Sequence, residues 1–409
     1  MDVSEKARPL FSIHYHPIIM PNAMHLICPP ISTVRIALIG LGGRGMKTLE
    51  RYAFIKGAQI RYIVDIDEQR LDKANHQLLL SGRPQAQKLI GENAWAEVCD
   101  KKDVDVVYIC TEWKSHTPIA IEAMQRGKHV VVEVPAATTI KECWQLVHTA
   151  EQTHRHLFMA ENCCYDFFAL QSLEMKRLGV FGQITHCEGA YIHNLNDYEF
   201  APQHGDTRHN WMIHSCAQHG GNPYPTHAIG PIAQLLDFHN TDRMLRLTSL
   251  TSSIHTNTEG CNNDEMGHIN NTLIQTQHGV SILLQLDVST ARPYNRLQTV
   301  CGTKAYVQKY PLPTLQIKGN TPLIGNEALQ AMQKYATSPA SKLWQEGHDI
   351  GVPNEMNYAM DMRLINCLRQ GLPLDIDVYD AAEWSCLAEL TQRSAQNGGI
   401  PIEIPQFRE

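Results

Sequence analysis

The chain has 409 residues, of which 43% are hydrophobic and 19% charged, and its formal net charge is −7. That length exceeds one ordinary core and predicts two domains. The acidic balance excludes a basic face for nucleic acid or anionic lipid. No stretch is apolar for long enough to span a membrane. Twelve cysteines with no Cys-x-x-Cys pair read as free thiols buried in a reducing compartment. The first thirty residues lack a basic start followed by an apolar run, so the expected location is cytoplasmic; a periplasmic chain shorn of its leader is the alternative.

Residues 1–32, rich in Pro and His, read as an irregular N-terminal arm. From there strands alternate with helices. The predicted strands are Val34–Ile39, Ile60–Asp65, Val104–Cys110 and Lys128–Glu133. The predicted helices are Met46–Tyr52, Pro118–Arg126 (stopped by Gly127) and Ile140–Thr153. This pattern predicts an α/β fold, a Rossmann-type doubly wound parallel sheet over residues 33–161. The period then lengthens to alternating strands at Ile184–Ile192, Leu245–Ser253, Asn270–Gln277 and Val280–Ser289, the last two joined by a Gln277-His278-Gly279 turn. Residues 162–409 are therefore expected to form an α+β domain with an open, mainly antiparallel sheet for substrate and oligomer contacts. Its last helices, Asn354–Leu368 and Val378–Ala395, are expected to pack back on the first domain.

Gly40-Leu41-Gly42-Gly43-Arg44-Gly45 follows an apolar strand and opens a helix, the context in which a G-x-G-x-x-G run binds a dinucleotide. Glycine lets the backbone approach a pyrophosphate, and the helix N-terminus offers unpaired N–H groups. Asp65, at the tip of the second strand, is placed for the ribose hydroxyls and would repel a 2′-phosphate, which favours NAD over NADP. Arg44 pulls the other way. Trp113 and His116 lie just past a strand's C-terminal end, where such sheets bind ligands. The pairs His14/His16 and His154/His156 lack a third ligand of compatible spacing, so no metal site is expected.

Glu133-Val134-Pro135 follows its strand where many Gfo/Idh/MocA dehydrogenases carry Glu-Lys-Pro, with the lysine acting as acid/base; Val134 cannot transfer a proton. With Trp113-Lys114-Ser115-His116, Glu161-Asn162, Gly179-Val180-Phe181-Gly182, Tyr191-Ile192-His193, Tyr224-Pro225-Thr226-His227 and Arg292-Pro293-Tyr294, the chain resembles glycoside hydrolase family 109 over residues 35 to 310. The activity known for that family is NAD-dependent α-N-acetylgalactosaminidase. The resemblance implies cofactor contacts at Gly43, Arg44, Asp65, Trp113, His116, Glu133, Val134 and Asn162, beside the loop's Gly40, Gly42 and Gly45. It implies substrate contacts at Glu161, Tyr191, Tyr224, Thr226, His227 and Tyr294. In two places the chain departs from the family: Met212 stands after Trp211 where an arginine is expected, and His219 replaces a basic residue.

Nothing in the sequence resembles the paired carboxylates of ordinary glycosidases. The resemblance implies instead a transient oxidation at sugar C3, elimination across C1–C2, water addition and re-reduction, with no net redox change. His227 is the expected base at O3, since imidazole titrates near neutrality; Tyr191 or Glu161 would act at C2 or on the leaving group. Two other readings compete: a sugar or inositol dehydrogenase with net hydride transfer, and a non-catalytic NAD-linked sensor. The expected partners are a small-molecule glycoside and further copies of the chain in a homo-oligomer (dimer or tetramer), with neither nucleic acid nor membrane.

Overall fold

The computed structural model describes residues 22–195, 211–238, 240–252 and 269–408. The His14/His16 pair, most of the N-terminal arm and the expected strand end at Ser253 lie outside them. The described residues divide into two compact units. One comprises the residues up to Phe167 with Thr337–Ala382, the other Phe168–Ala336 with the residues from Glu383 on. No helix among the described residues is long and apolar enough to cross a membrane.

The first unit begins β1 (Val34–Ile39), α1 (Gly43–Tyr52), β2 (Ala58–Asp65), α2 (Glu68–Leu80), β3 (Gln87–Ile90) and α3 (Ala94–Cys99). It continues β4 (Val106–Ile109), α4 (Trp113–Gln125), β5 (His129–Val132), α5 (Ile140–Thr153) and β6 (Leu157–Met159). The six strands form one parallel sheet in the order β3-β2-β1-β4-β5-β6. Chain order reverses between β1 and β4, the switch point at which doubly wound sheets open a ligand crevice. Central strands are apolar almost without interruption because both faces are covered: β4 and β5 are wholly buried.

Two helices start earlier than the sequence suggests. The first turn of α1 is the glycine loop itself. Pro118, expected at a helix start, lies in the second turn of α4, which begins at Trp113. Elsewhere local signals hold. Thr139 and Glu142 form a reciprocal capping box on α5, and Gly127, at φ +80°, follows α4 as a terminating glycine.

The second unit contains α6 (Phe167–Arg177), β7 (Ile184–Ile192), α7 (Trp211–Ala217), α8 (Thr226–Leu236), β8 (Met244–Thr251), β9 (Ile269–Thr276) and β10 (Ser281–Asp287). Then come β11 (Asn295–Gly302), β12 (Ala305–Gln308), β13 (Thr314–Ile317), β14 (Leu323–Ile324) and α9 (Asn326–Met332). With the terminal β15 (Ile402–Glu403), the strands make one sheet in the order β14-β13-β12-β11-β7-β10-β9-β8-β15. Every pairing is antiparallel except β7 with β10. The β9–β10 turn closes as expected: Thr276 N–H donates to the Val280 carbonyl at 3.0 Å, and Gly279 supplies the positive φ.

Helices α10 (Pro339–Asp349) and α11 (Glu355–Gln370) belong to the first unit, and α12 (Val378–Gln396) leads out of it. α11 packs against β1 and against the 3₁₀ turn Asn162–Tyr165 that follows β6. Its Arg363 grips Asp375 in a buried bidentate pair at 2.8 and 2.6 Å, and Tyr165 donates to the same carboxylate at 3.1 Å. Such a fork of charge-assisted bonds fixes geometry tightly.

Candidate active site

The glycine loop is shaped by steric exclusion. A Cβ on Gly45 would fall 1.8 Å from the Gly40 carbonyl oxygen, and one on Gly40, at φ +87°, 2.8 Å from that of Cys110. These two glycines let loop, helix and β4 meet. Gly42 and Gly43 differ, because nothing lies within 4 Å of a Cβ on either. Open space therefore faces the N-terminus of α1, which has no side-chain cap and no acidic residue in its first turn. Unpaired N–H groups with no competing anion make a cradle for a pyrophosphate. The residues fit a dinucleotide.

Asp65 is buried at the tip of β2 and ties that tip to the loop. Its carboxylate accepts from the N–H of Leu41 at 2.6 Å and of Asp67 at 2.9 Å. A fixed negative charge there disfavours a 2′-phosphate. Arg44, the feature in the sequence that argued otherwise, is committed elsewhere: its Nε lies 2.8 Å from Oε2 of the buried Glu133. The cofactor is NAD.

Trp113 and His116 occupy the first turn of α4, both buried. His116 Nδ1 faces the Pro135 carbonyl at 2.8 Å and Nε2 that of Thr111 at 3.1 Å. Burial pushes its pKa down, against the pull of the two carbonyls, and a neutral ring has one N–H to donate. Its ring thus braces the start of α4 against the segment after β5. Val134, in that segment, is buried and apolar. After β6, the fully buried Glu161 accepts from Cys163 N–H at 3.0 Å. Asn162 donates through Nδ2 to Asn357 Oδ1 at 2.8 Å.

In the second unit three predicted residues come together. Tyr191, on β7, has its ring centroid 4.9 Å from Tyr224 and 5.4 Å from His227; Tyr224 and His227 meet edge-on at 4.8 Å. The cluster depends on Gly189, two residues before Tyr191 on the same face. A Cβ there would lie 2.4 Å from the carbonyl of Ala228, so glycine alone lets the first turn of α8 sit this close to β7. Asn222 Oδ1 accepts from Tyr224 N–H at 3.0 Å, and Asn222 N–H donates to Thr391 Oγ1 at 2.9 Å, anchoring the segment that delivers His227.

Sequence reasoning did not assign His193, which extends the cluster. Its Nδ1 shares a 3.0 Å hydrogen bond with the Tyr191 hydroxyl, and its ring lies 5.3 Å from Tyr294. The signal was available: positions 191 and 193 stand two apart. Tyr294, 41% exposed, also receives a hydrogen bond from Arg296 and faces Tyr310 at 6.2 Å. Thr226 is wholly buried, its hydroxyl without a partner among the described residues. Met212 is buried on α7. His219 accepts from Gly221 N–H at 3.1 Å, and burial pushes its pKa down to about 4; it is a neutral turn acceptor, not a cation.

Two family models match the chain. That of the C-terminal domain of glycosyl hydrolase 109 matches residues 165–409, and that of the NAD-binding Rossmann fold of the oxidoreductase family residues 34–161. The chain is 48% identical over 402 residues to a glycosyl hydrolase family 109 protein 2 of Phocaeicola vulgatus, covering 95% of this chain and 97% of the relative. It is 48% identical over 401 residues to an alpha-N-acetylgalactosaminidase of Bacteroides fragilis, covering 94% of each. Among solved structures it resembles levoglucosan dehydrogenase in complex with NADH and levoglucosan, at a TM-score of 0.71 and 16% identity over 91% of this chain and all of that one. An aldose-aldose oxidoreductase from Caulobacter crescentus gives 0.68 and 18%, with the same coverage. At these identities the two structures establish the fold alone.

Proposed function

The chain belongs to glycosyl hydrolase family 109, and from that premise we propose that it cleaves α-N-acetylgalactosaminides, the chemistry named for its Bacteroides fragilis relative. Bound NAD supplies a two-electron acceptor that is restored within each turnover, so no external oxidant is consumed. The observation that carries the proposal is the tyrosine–histidine cluster of Tyr191, His193, Tyr224 and His227 in the second unit. The first unit, for its part, holds a dinucleotide loop and has valine at position 134.

His227 takes the proton from the sugar's O3. Tyr191 takes the proton from C2, while its own hydroxyl proton passes to His193 along their 3.0 Å hydrogen bond. That proton then returns through Tyr191 to the leaving oxygen, so protons balance across the step. Tyr224 and Tyr294 offer ring faces to the apolar side of the sugar. Glu161 has no assigned proton.

The test is to incubate the protein with aryl α-N-acetylgalactosaminide and, separately, with free sugars, following aglycone release and NADH absorbance together. Aglycone without net NADH is expected. NADH accumulating on free sugar without aglycone release would overturn the proposal in favour of a dehydrogenase.

Two further readings accompany it. Eleven free cysteines among the described residues, ten of them buried, support a reducing, cytoplasmic location. Leu250 and Leu273, 57% and 56% exposed on the neighbouring strands β8 and β9, support a homo-oligomer built on the open sheet.

A further inference from the structure

Two buried polar residues of α11, Asn357 and Asp361, have no part in the proposed chemistry. Four positions apart, they share a face of the helix. Asn357 accepts the amide N–H of Asn162, the first residue of the 3₁₀ turn that follows β6. Asp361 accepts from Arg51 Nε at 3.0 Å, and Arg51 Nη2 reaches the Tyr108 hydroxyl at 3.4 Å. That hydroxyl lies 3.5 Å from Oε1 of Glu133, whose Oε2 holds Arg44 of the glycine loop. One helix face thus reaches the residues following two adjacent strands, β5 and β6, on the C-terminal side of the sheet where a dinucleotide binds. Arg51 feels the charges of Asp361, Glu133 and Arg44 together. The cluster pairs two cations with two carboxylates and is neutral.

We propose that Asn357 and Asp361 are positioning residues for the nicotinamide end of the cofactor. Asn357 fixes the side chain of Asn162, and Asp361 balances the charge beneath the Arg44–Glu133 pair. This rests on the NAD-binding reading but not on the sugar chemistry. The oxidised nicotinamide ring is cationic and the reduced ring neutral, so charge left uncompensated in this buried cluster discriminates between them.

The test measures dissociation constants for NAD+ and NADH by tryptophan fluorescence on the purified full chain, after thermal melts confirm folding. Asp361→Asn leaves the cluster one positive charge in excess; the ratio of the NAD+ to the NADH constant should rise about three- to tenfold. Arg51→Met leaves it one negative charge in excess and should move the ratio the other way. Arg51→Met/Asp361→Leu restores neutrality with apolar groups, a replacement that buried ion pairs commonly tolerate, and should bring the ratio back to the parental value. Asn357→Ala should weaken both forms about fivefold, the cost of a lost buried hydrogen bond. Asn354→Ala, which removes the cap of the same helix, should lower the melting temperature and leave both constants alone. An unchanged ratio in the single-charge variants, or equal losses from Asn354→Ala and Asn357→Ala, would overturn the proposal. Should Asp361→Asn fail to fold, Arg51→Met and the double variant decide it. All readouts are cofactor binding, so they stand whatever the glycosidase assay returns.

Discussion

The glycine loop of the first unit and the aromatic cluster of the second make functional surface in opposite ways. The loop works through backbone: two glycines remove Cβ atoms that would collide, two more leave open space, and the helix N–H groups do the binding. The cluster works through side chains delivered from β7, from the first turn of α8 and the residues just before it, and from the segment before β11, with β7 and α8 brought together by one close approach at Gly189. The first kind of site is written in consecutive residues. The second is written in residues that meet only after folding.

Substitutions at the two key glycines should separate the regions most sharply. Gly45→Val places carbon against the Gly40 carbonyl, and NAD retention should fall about a hundredfold or more, measured by cofactor content after purification. Gly189→Ala forces α8 away from β7; bound NAD should stay at the parental level while aglycone release falls roughly a hundredfold. Loss of both properties in both variants would mean the division of labour is wrong.

Within the cluster, His227→Ala should keep its NAD and lose roughly a hundred- to ten-thousand-fold in turnover. Tyr191→Phe and His193→Ala should fall together and, combined, cost little more than either alone, because one proton path serves both. Additive losses in the double variant would separate the two residues.

A smaller effect concerns stability. His129 and His156 lie with ring centroids 4.9 Å apart in the first unit, and burial pushes their pKa values down to about 4 and about 3. Unfolded, each titrates near 6.5, so below that pH the unfolded chain binds protons that the folded chain refuses. Stability should be fully present above about pH 6.5 and decline as pH falls towards 3, read from denaturant melts. His156→Gln should flatten that slope; an unchanged slope would assign the acid sensitivity to other groups.

The parts legible in the sequence follow the same division. β1, β2 and the loop between them were readable because buried parallel strands are apolar runs and the glycines are consecutive. The α1 start lies earlier than the sequence suggests because those same glycines look like a turn. α4 likewise starts earlier than the sequence suggests, because Pro118 looks like a boundary and hides the first turn that carries Trp113 and His116. β11 to β14 leave little trace in the sequence because β12 to β14 are short and β11 is irregular, with Leu297 and Gln298 both at positive φ. Asp361 and Asn357 look like ordinary helix residues: the sequence suggests that α11 returns to the first domain, but nothing local shows that Arg51 and Asn162 are the partners they meet there. Tyr191, Tyr224, His227 and Tyr294 were readable only as a family pattern; their meeting depends on Gly189, which no motif marks.

The central claim, that this dinucleotide fold serves a glycosidase, is tested most directly by turnover of an α-N-acetylgalactosaminide in heavy water, with mass analysis of the released sugar and continuous NADH absorbance. The account predicts one deuterium at C2 of the product and no net NADH. Release of sugar with its C2 hydrogen intact would contradict it.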